Sequence, residues 1–157
     1  MSMRLHRWGR ITGLAVLSLA AVPAMAGLGG DLSSVQADRA DMKAQIRATP
    51  ATVGYSVEQM QLPGGTVVSE YVSPDGKVFA VSWHGPSKPD LRDALGSYFQ
   101  QYVTARGQVI HSPGMRRHFQ ITEPDLVVES SGRMRAFYGR AYVPSLLPPN
   151  VSVADIQ

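Results

Sequence analysis

Residues 53–83 read VGYSVEQMQLPGGTVVSEYVSPDGKVFAVSW, and the fold class turns on this stretch. Three runs rich in Val, Tyr and Phe lie at about Val53 to Gln61, Thr66 to Val72 and Lys77 to Trp83, separated by Pro63-Gly64-Gly65 and Pro74-Asp75-Gly76. Branched and aromatic side chains suit a pleated, half-buried surface, while proline fixes one φ and glycine supplies the positive φ of a tight turn. The stretch therefore predicts a three-stranded antiparallel meander. In its third strand Phe79, Val81 and Trp83 alternate with Val78, Ala80 and Ser82, so the larger set is expected to share one face and meet the core.

Helical spacing flanks the meander on both sides. Upstream, Leu32, Val35, Met42 and Ile46 recur at a helical period that runs to about Ala48, with Asp31 or Ser33 able to cap the start and Pro50 to stop it. Arg39 falls inside that apolar stripe. A guanidinium there either snorkels along its stem or takes an acidic partner, for which Glu58 and Glu70 are available, so Arg39 is a structural ion-pair candidate. Downstream, Leu91, Leu95, Tyr98 and Tyr102 fall on one helical face, Asp90 is placed as N-cap, and the helix should end near Arg106-Gly107.

Residues 108–124 carry no clear period and read as a loop with room for an edge strand. Leu126 to Ser130 and Arg133 to Val143 then read as a closing hairpin hinged at Ser131-Gly132, with Gly139 marking a bulge. From Pro144 onward, Pro148-Pro149 cannot continue a central strand, and residues 144–157 read as a proline-rich C-terminal tail. The expected fold is α+β: a two-layer domain over residues 27–143, with a mainly antiparallel sheet of about five strands and two helices on one face, in the order α-β-β-β-α-β-β.

Residues 1–26 have the grammar of a cleaved secretion signal: Arg4, Arg7 and Arg10, then an uncharged run from Ile11 to Val22, then Ala24-Met25-Ala26. That run is too short to span a bilayer, which takes about 20 residues, so no stable membrane anchor is expected after cleavage and the setting is periplasmic or secreted. Three of the 15 Lys and Arg residues lie in this segment and none of the 12 Asp and Glu do, so the remainder is formally neutral. Neutrality removes the main argument for nucleic acid as a partner. The absence of cysteine excludes disulfides, thiolate metal sites and thiol nucleophiles.

Catalytic signatures are missing. The chain has no Gly-x-Ser-x-Gly elbow, no Ser-x-x-Lys and no His-Glu-x-x-His, and no catalytic residue, cofactor or metal ligand is assigned. His84, leaving a strand beside a proline loop, is the best-placed titratable group; His111 and His118 are separated by Pro113 and Gly114 and cannot share a helical face. Arg133, Arg135, Tyr138, Arg140 and Tyr142 form the other constellation, because arginine forks and aromatic rims together suit carboxylates or sugar rings.

Several short blocks occur in a fixed order: Leu28-Gly29-Gly30, Ala37-Asp38-Arg39-Ala40, Leu62-Pro63-Gly64-Gly65-Thr66-Val67-Val68, Glu70-Tyr71-Val72-Ser73-Pro74-Asp75-Gly76, Pro89-Asp90-Leu91-Arg92 and Met134 to Pro144. In these the chain resembles the bacterial exported family called domain of unknown function 2844. The resemblance implies a Gram-negative, extracytoplasmic setting and supplies no activity, cofactor or catalytic residue. The function expected is that of a non-enzymatic accessory or binding module whose partner is an envelope protein or polysaccharide. The alternatives are a periplasmic hydrolase using His84 with a nearby carboxylate, which requires a pocket joining the two, and a subunit of an envelope assembly, which requires an exposed apolar patch or an open sheet edge.

Overall fold

The computed structural model describes residues 27–31, 45–52, 54–109 and 118–157. Among them the strands form one antiparallel sheet of seven, in the spatial order β1-β2-β3-β4-β7-β6-β5. The strands are β1 Gln45–Thr52, β2 Tyr55–Gln61, β3 Val67–Val72, β4 Val78–Gly85, β5 His118–Glu123, β6 Leu126–Arg133 and β7 Ala136–Tyr142. The helical segment comprises α1 Leu91–Leu95, a 3-10 turn at Gly96–Tyr98 and α2 Phe99–Val109. The protein is thus α+β and mostly sheet, with two more strands than expected.

The meander of β2, β3 and β4 forms where the two Pro-Gly turns place it. Its third strand departs from simple alternation. Tyr71 faces Ala80 but Val72 faces Val78, so Phe79 is an extra residue on β4. A bulge of this kind turns the following side chains over. Val78, Val81 and Trp83 consequently join the core under the helices, whereas Phe79 and Ala80 join a second core on the opposite face.

Two other expectations change and one is made specific. The upstream helix was expected to reach Ala48, yet Gln45–Thr52 is a strand paired to β2 from Gln45 opposite Gln61 to Thr52 opposite Tyr55. Ladder pairing with a neighbouring strand overrides the local period there. The rest of that helix and Arg39 lie outside the described residues. Within 108–124, expected as a loop with room for an edge strand, His118–Glu123 is an edge strand, β5, with Ile121 buried and His118, Gln120 and Thr122 exposed. The closing hairpin turns at Met134-Arg135 instead of Ser131-Gly132, since Arg133 pairs with Ala136.

Asp90 caps α1 as expected, its carboxylate accepting the Arg92 backbone N–H at 2.8 Å. Leu95, Tyr102, Ala94 and Ala105 are buried against Met60, Val68, Val81 and Trp83 on one face of the sheet. That face is the principal core. On the other face Tyr71, Phe79, Ala80 and Ile156 form the smaller core.

Ile156 belongs to the segment expected as a tail. Residues 144–157 run back across the sheet through two 3-10 turns, Pro144–Leu146 and Val153–Asp155, the second closed by a capping box between Ser152 and Asp155. The prolines do keep this segment out of the ladder. It is held by side chains instead: the Arg140 Nη1 donates to the carbonyls of Val153 at 2.8 Å and Ile156 at 3.2 Å. The hydroxyls of Tyr71 and Ser82 both donate to the Gln157 carbonyl at 2.7 Å, and the Gln157 N–H donates back to Tyr71 at 2.9 Å.

Candidate functional site

Register across β4, β7, β6 and β5 places side chains of one parity in rows on the face away from the helices. One row runs Ser82, Arg140, Glu129, Gln120; the next runs His84, Tyr138, Ser131, His118. Between these rows and the returning C-terminal segment lies a cleft of about 300 Å³, lined by His84, His118, Glu129, Tyr138, Arg140 and Gln157 among others. The C-terminal segment is one of its walls.

The five residues of the arginine and tyrosine constellation separate into two groups. Tyr138, Arg140 and Tyr142 alternate along β7 and share the cleft face. Arg133 ends β6 in the next row of that face, opposite Ala136, and Arg135 sits in the hairpin turn at φ 65, so both stand at the end of the sheet, and neither lines the cleft. Within the first group the roles differ again. Arg140 is committed: its Nε donates to Glu129 Oε2 at 2.8 Å while its Nη1 holds the C-terminal segment. Tyr142 packs against the smaller core. Tyr138 is 59% exposed and no core claims it. Of the five, it is the side chain most available to a ligand in the cleft.

His84 and a carboxylate, Glu129, do line one cleft. Two strands and one row of the ladder separate them, about 12 Å between Cα positions at ordinary sheet spacings. Among the described residues the Glu129 carboxylate accepts from Arg140 at 2.8 Å and Gln120 at 3.5 Å and makes no hydrogen bond with His84, the contact that proton transfer between them would need. Glu129 is in addition the ion-pair partner of Arg140. His84 and His118 stand three strands apart in their row, and among the described residues no group of three His, Asp or Glu side chains is placed to hold a metal ion.

Trp83 and Gly139 also line the cleft. They are register partners on β4 and β7, and the indole covers the bare α-carbon of Gly139 on the helix side of the sheet. The expected bulge at Gly139 is absent, because pairing runs unbroken past it on both sides. Its missing side chain makes room for the indole instead. The C-terminal segment and the indole seat both escaped the sequence reading; a large aromatic on β4 and a glycine in an otherwise bulky β7 were the only signals for the second.

The family profile described as protein of unknown function (DUF2844) matches residues 24–156. The chain belongs to that family. The matched span includes the returning C-terminal segment up to Ile156, so the DUF2844 unit contains the wall of the cleft as well as its floor. No curated protein and no solved structure matches the chain.

Proposed function

We propose that the protein is an exported binding module of the cell envelope, without catalysis of its own, which holds a protein or polysaccharide component in the cleft around Tyr138. The observation that carries this reading is a majority-exposed tyrosine ring set between two exposed histidines on a sheet face, beside a cleft of ligand-binding size. An aromatic ring with a polar tip offers flat apolar area together with a hydrogen bond, which suits sugar rings and peptide groups alike. The fixed Arg140–Glu129 pair and the C-terminal segment give that ring a rigid surround, so little order has to be gained on binding.

Against the hydrolase alternative, among the described residues the Glu129 carboxylate is engaged by Arg140 and Gln120 and not by His84. Capture from envelope extract tests the choice. Tyr138→Ala is expected to lower recovery of the bound component about tenfold or more, as truncation of a central aromatic anchor does. Replacing Arg140 would confuse the test, since it also releases the C-terminal segment. Undiminished capture by Tyr138→Ala, with loss in His84→Gln, would overturn the proposal in favour of a histidine-centred site.

A further inference from the structure

The formal neutrality of residues 27–157 conceals how their charges are distributed. At the end of the sheet where β4 finishes, β6 turns into β7 and β5 begins stand Lys88, Arg133 and Arg135, with Arg106 of α2 beside them. Lys88 Nζ lies 5.4 Å from the ring centre of Phe119 and 5.7 Å from that of Phe137, and the Arg106 guanidinium lies 5.9 Å from Phe119 as well. Aromatic faces therefore hold these two cations together in place of counter-ions. Among the described residues none of the four cations forms an ion pair. Partial burial of the ammonium, and then the neighbouring Arg106, keep Lys88 below the ordinary lysine range. The acids Asp31, Asp75, Glu123 and Asp125 stand at the opposite end of the sheet, where Asp31 pairs with Lys77.

At the tip of the basic end is an apolar side chain. Met134 is 90% exposed, between Arg133 and Arg135. Arg135 is the non-glycine residue that takes a positive φ among the described residues, a conformation that costs free energy and is retained where something else requires it. The hairpin thus presents four successive exposed residues, 133–136, in a fixed bend.

We propose that this hairpin tip docks reversibly on an anionic phospholipid surface, with Met134 entering the headgroup region and Arg133, Arg135, Lys88 and Arg106 meeting lipid phosphates. Charge complementarity selects the occupant: a cluster of cations around one protruding flexible apolar chain matches a negatively charged interface with a soft apolar interior. A soluble acidic polymer would use the cations and leave Met134 in water. The docking surface is distinct from the Tyr138 cleft, so either assignment can fail alone.

The cysteine-free chain allows a site-specific test in the full-length protein. A polarity-sensitive fluorophore is attached at Met134→Cys, and in a separate sample at Asp75→Cys on the acidic end. Each is mixed with vesicles of phosphatidylcholine alone, or of phosphatidylcholine and phosphatidylglycerol in equal parts. Expected is a blue shift at position 134 on the anionic vesicles only, none at position 75, and about tenfold or more weaker vesicle affinity when Arg133→Gln and Arg135→Gln are added. An equal response at position 75, a response on phosphatidylcholine alone, or indifference to the arginine changes would overturn the assignment. So would binding to dextran sulfate with a silent label on vesicles, which would identify a polysaccharide site.

Discussion

Gly139→Ala is expected to destabilise the protein by about 3 kcal/mol, at the upper part of the range for overpacking a core. A β-carbon at this position would lie 2.6 Å from Glu129 O and 2.6 Å from Cε2 of Trp83, and neither neighbour can yield cheaply. The carbonyl belongs to the β6–β7 ladder, and the indole is 1% exposed within the principal core. Thermal denaturation should register a fall in Tm of about 10 °C for a chain of this size. The same clash makes the effect of the two positions non-additive: in a Trp83→Ala background, itself costing about 3–5 kcal/mol, adding Gly139→Ala should cost less than half of its effect in the wild type. A neutral Gly139→Ala would mean that the indole does not sit over this glycine.

The second large effect is expected at Ile156, one residue from the end of the sequence. Its side chain is 1% exposed among Tyr71, Phe79 and Ala80, and Ile156→Ala should cost about 2–4 kcal/mol in chemical denaturation. A dangling tail would instead tolerate the change within about 0.5 kcal/mol. The loss should exceed that of Tyr71→Phe, which removes hydroxyl bonds to Gln157 while leaving the ring contacts with Tyr55 and Phe79, and which should cost about 1 kcal/mol.

The elements that could be read from the sequence are those whose signals are local. Asp90 caps the helix because a short carboxylate reaches the N–H two residues on, and Pro-Gly-Gly and Pro-Asp-Gly bend the chain wherever they occur. What escaped depends on pairing across long separations. Ile46 continues a helical period with Leu32, Val35 and Met42, but the partner strand β2 determines its state. In β5, Phe119 and Ile121 do alternate with exposed His118, Gln120 and Thr122, a two-residue period concealed by the arginines that precede it. Gly132 drew the hairpin turn to itself, whereas the ladder carries the turn on to Met134 and Arg135 and accepts an unfavourable φ there.

The candidate site divides along the same line. Arg133 through Tyr142 is visible as a cluster of arginine and tyrosine in one short stretch, yet sequence alone gives all five equal standing. Position in the ladder distinguishes them: Arg140 becomes a structural clamp, Tyr142 a core side chain, and Tyr138 the exposed ring of a cleft. The far wall of that cleft comes from Ile156 and Gln157, which no local pattern connects to β7.

Site-specific photocrosslinking in intact cells tests the central claim, recognition through the Tyr138 cleft, without knowledge of the ligand. Benzoylphenylalanine is placed at position 138 and, in a second strain, at Val103, which is exposed on α2 on the other side of the sheet. The account predicts an irradiation-dependent adduct with an envelope component from position 138 and none from position 103. An adduct from position 103 with none from position 138 would contradict it and move the recognition surface to the helix.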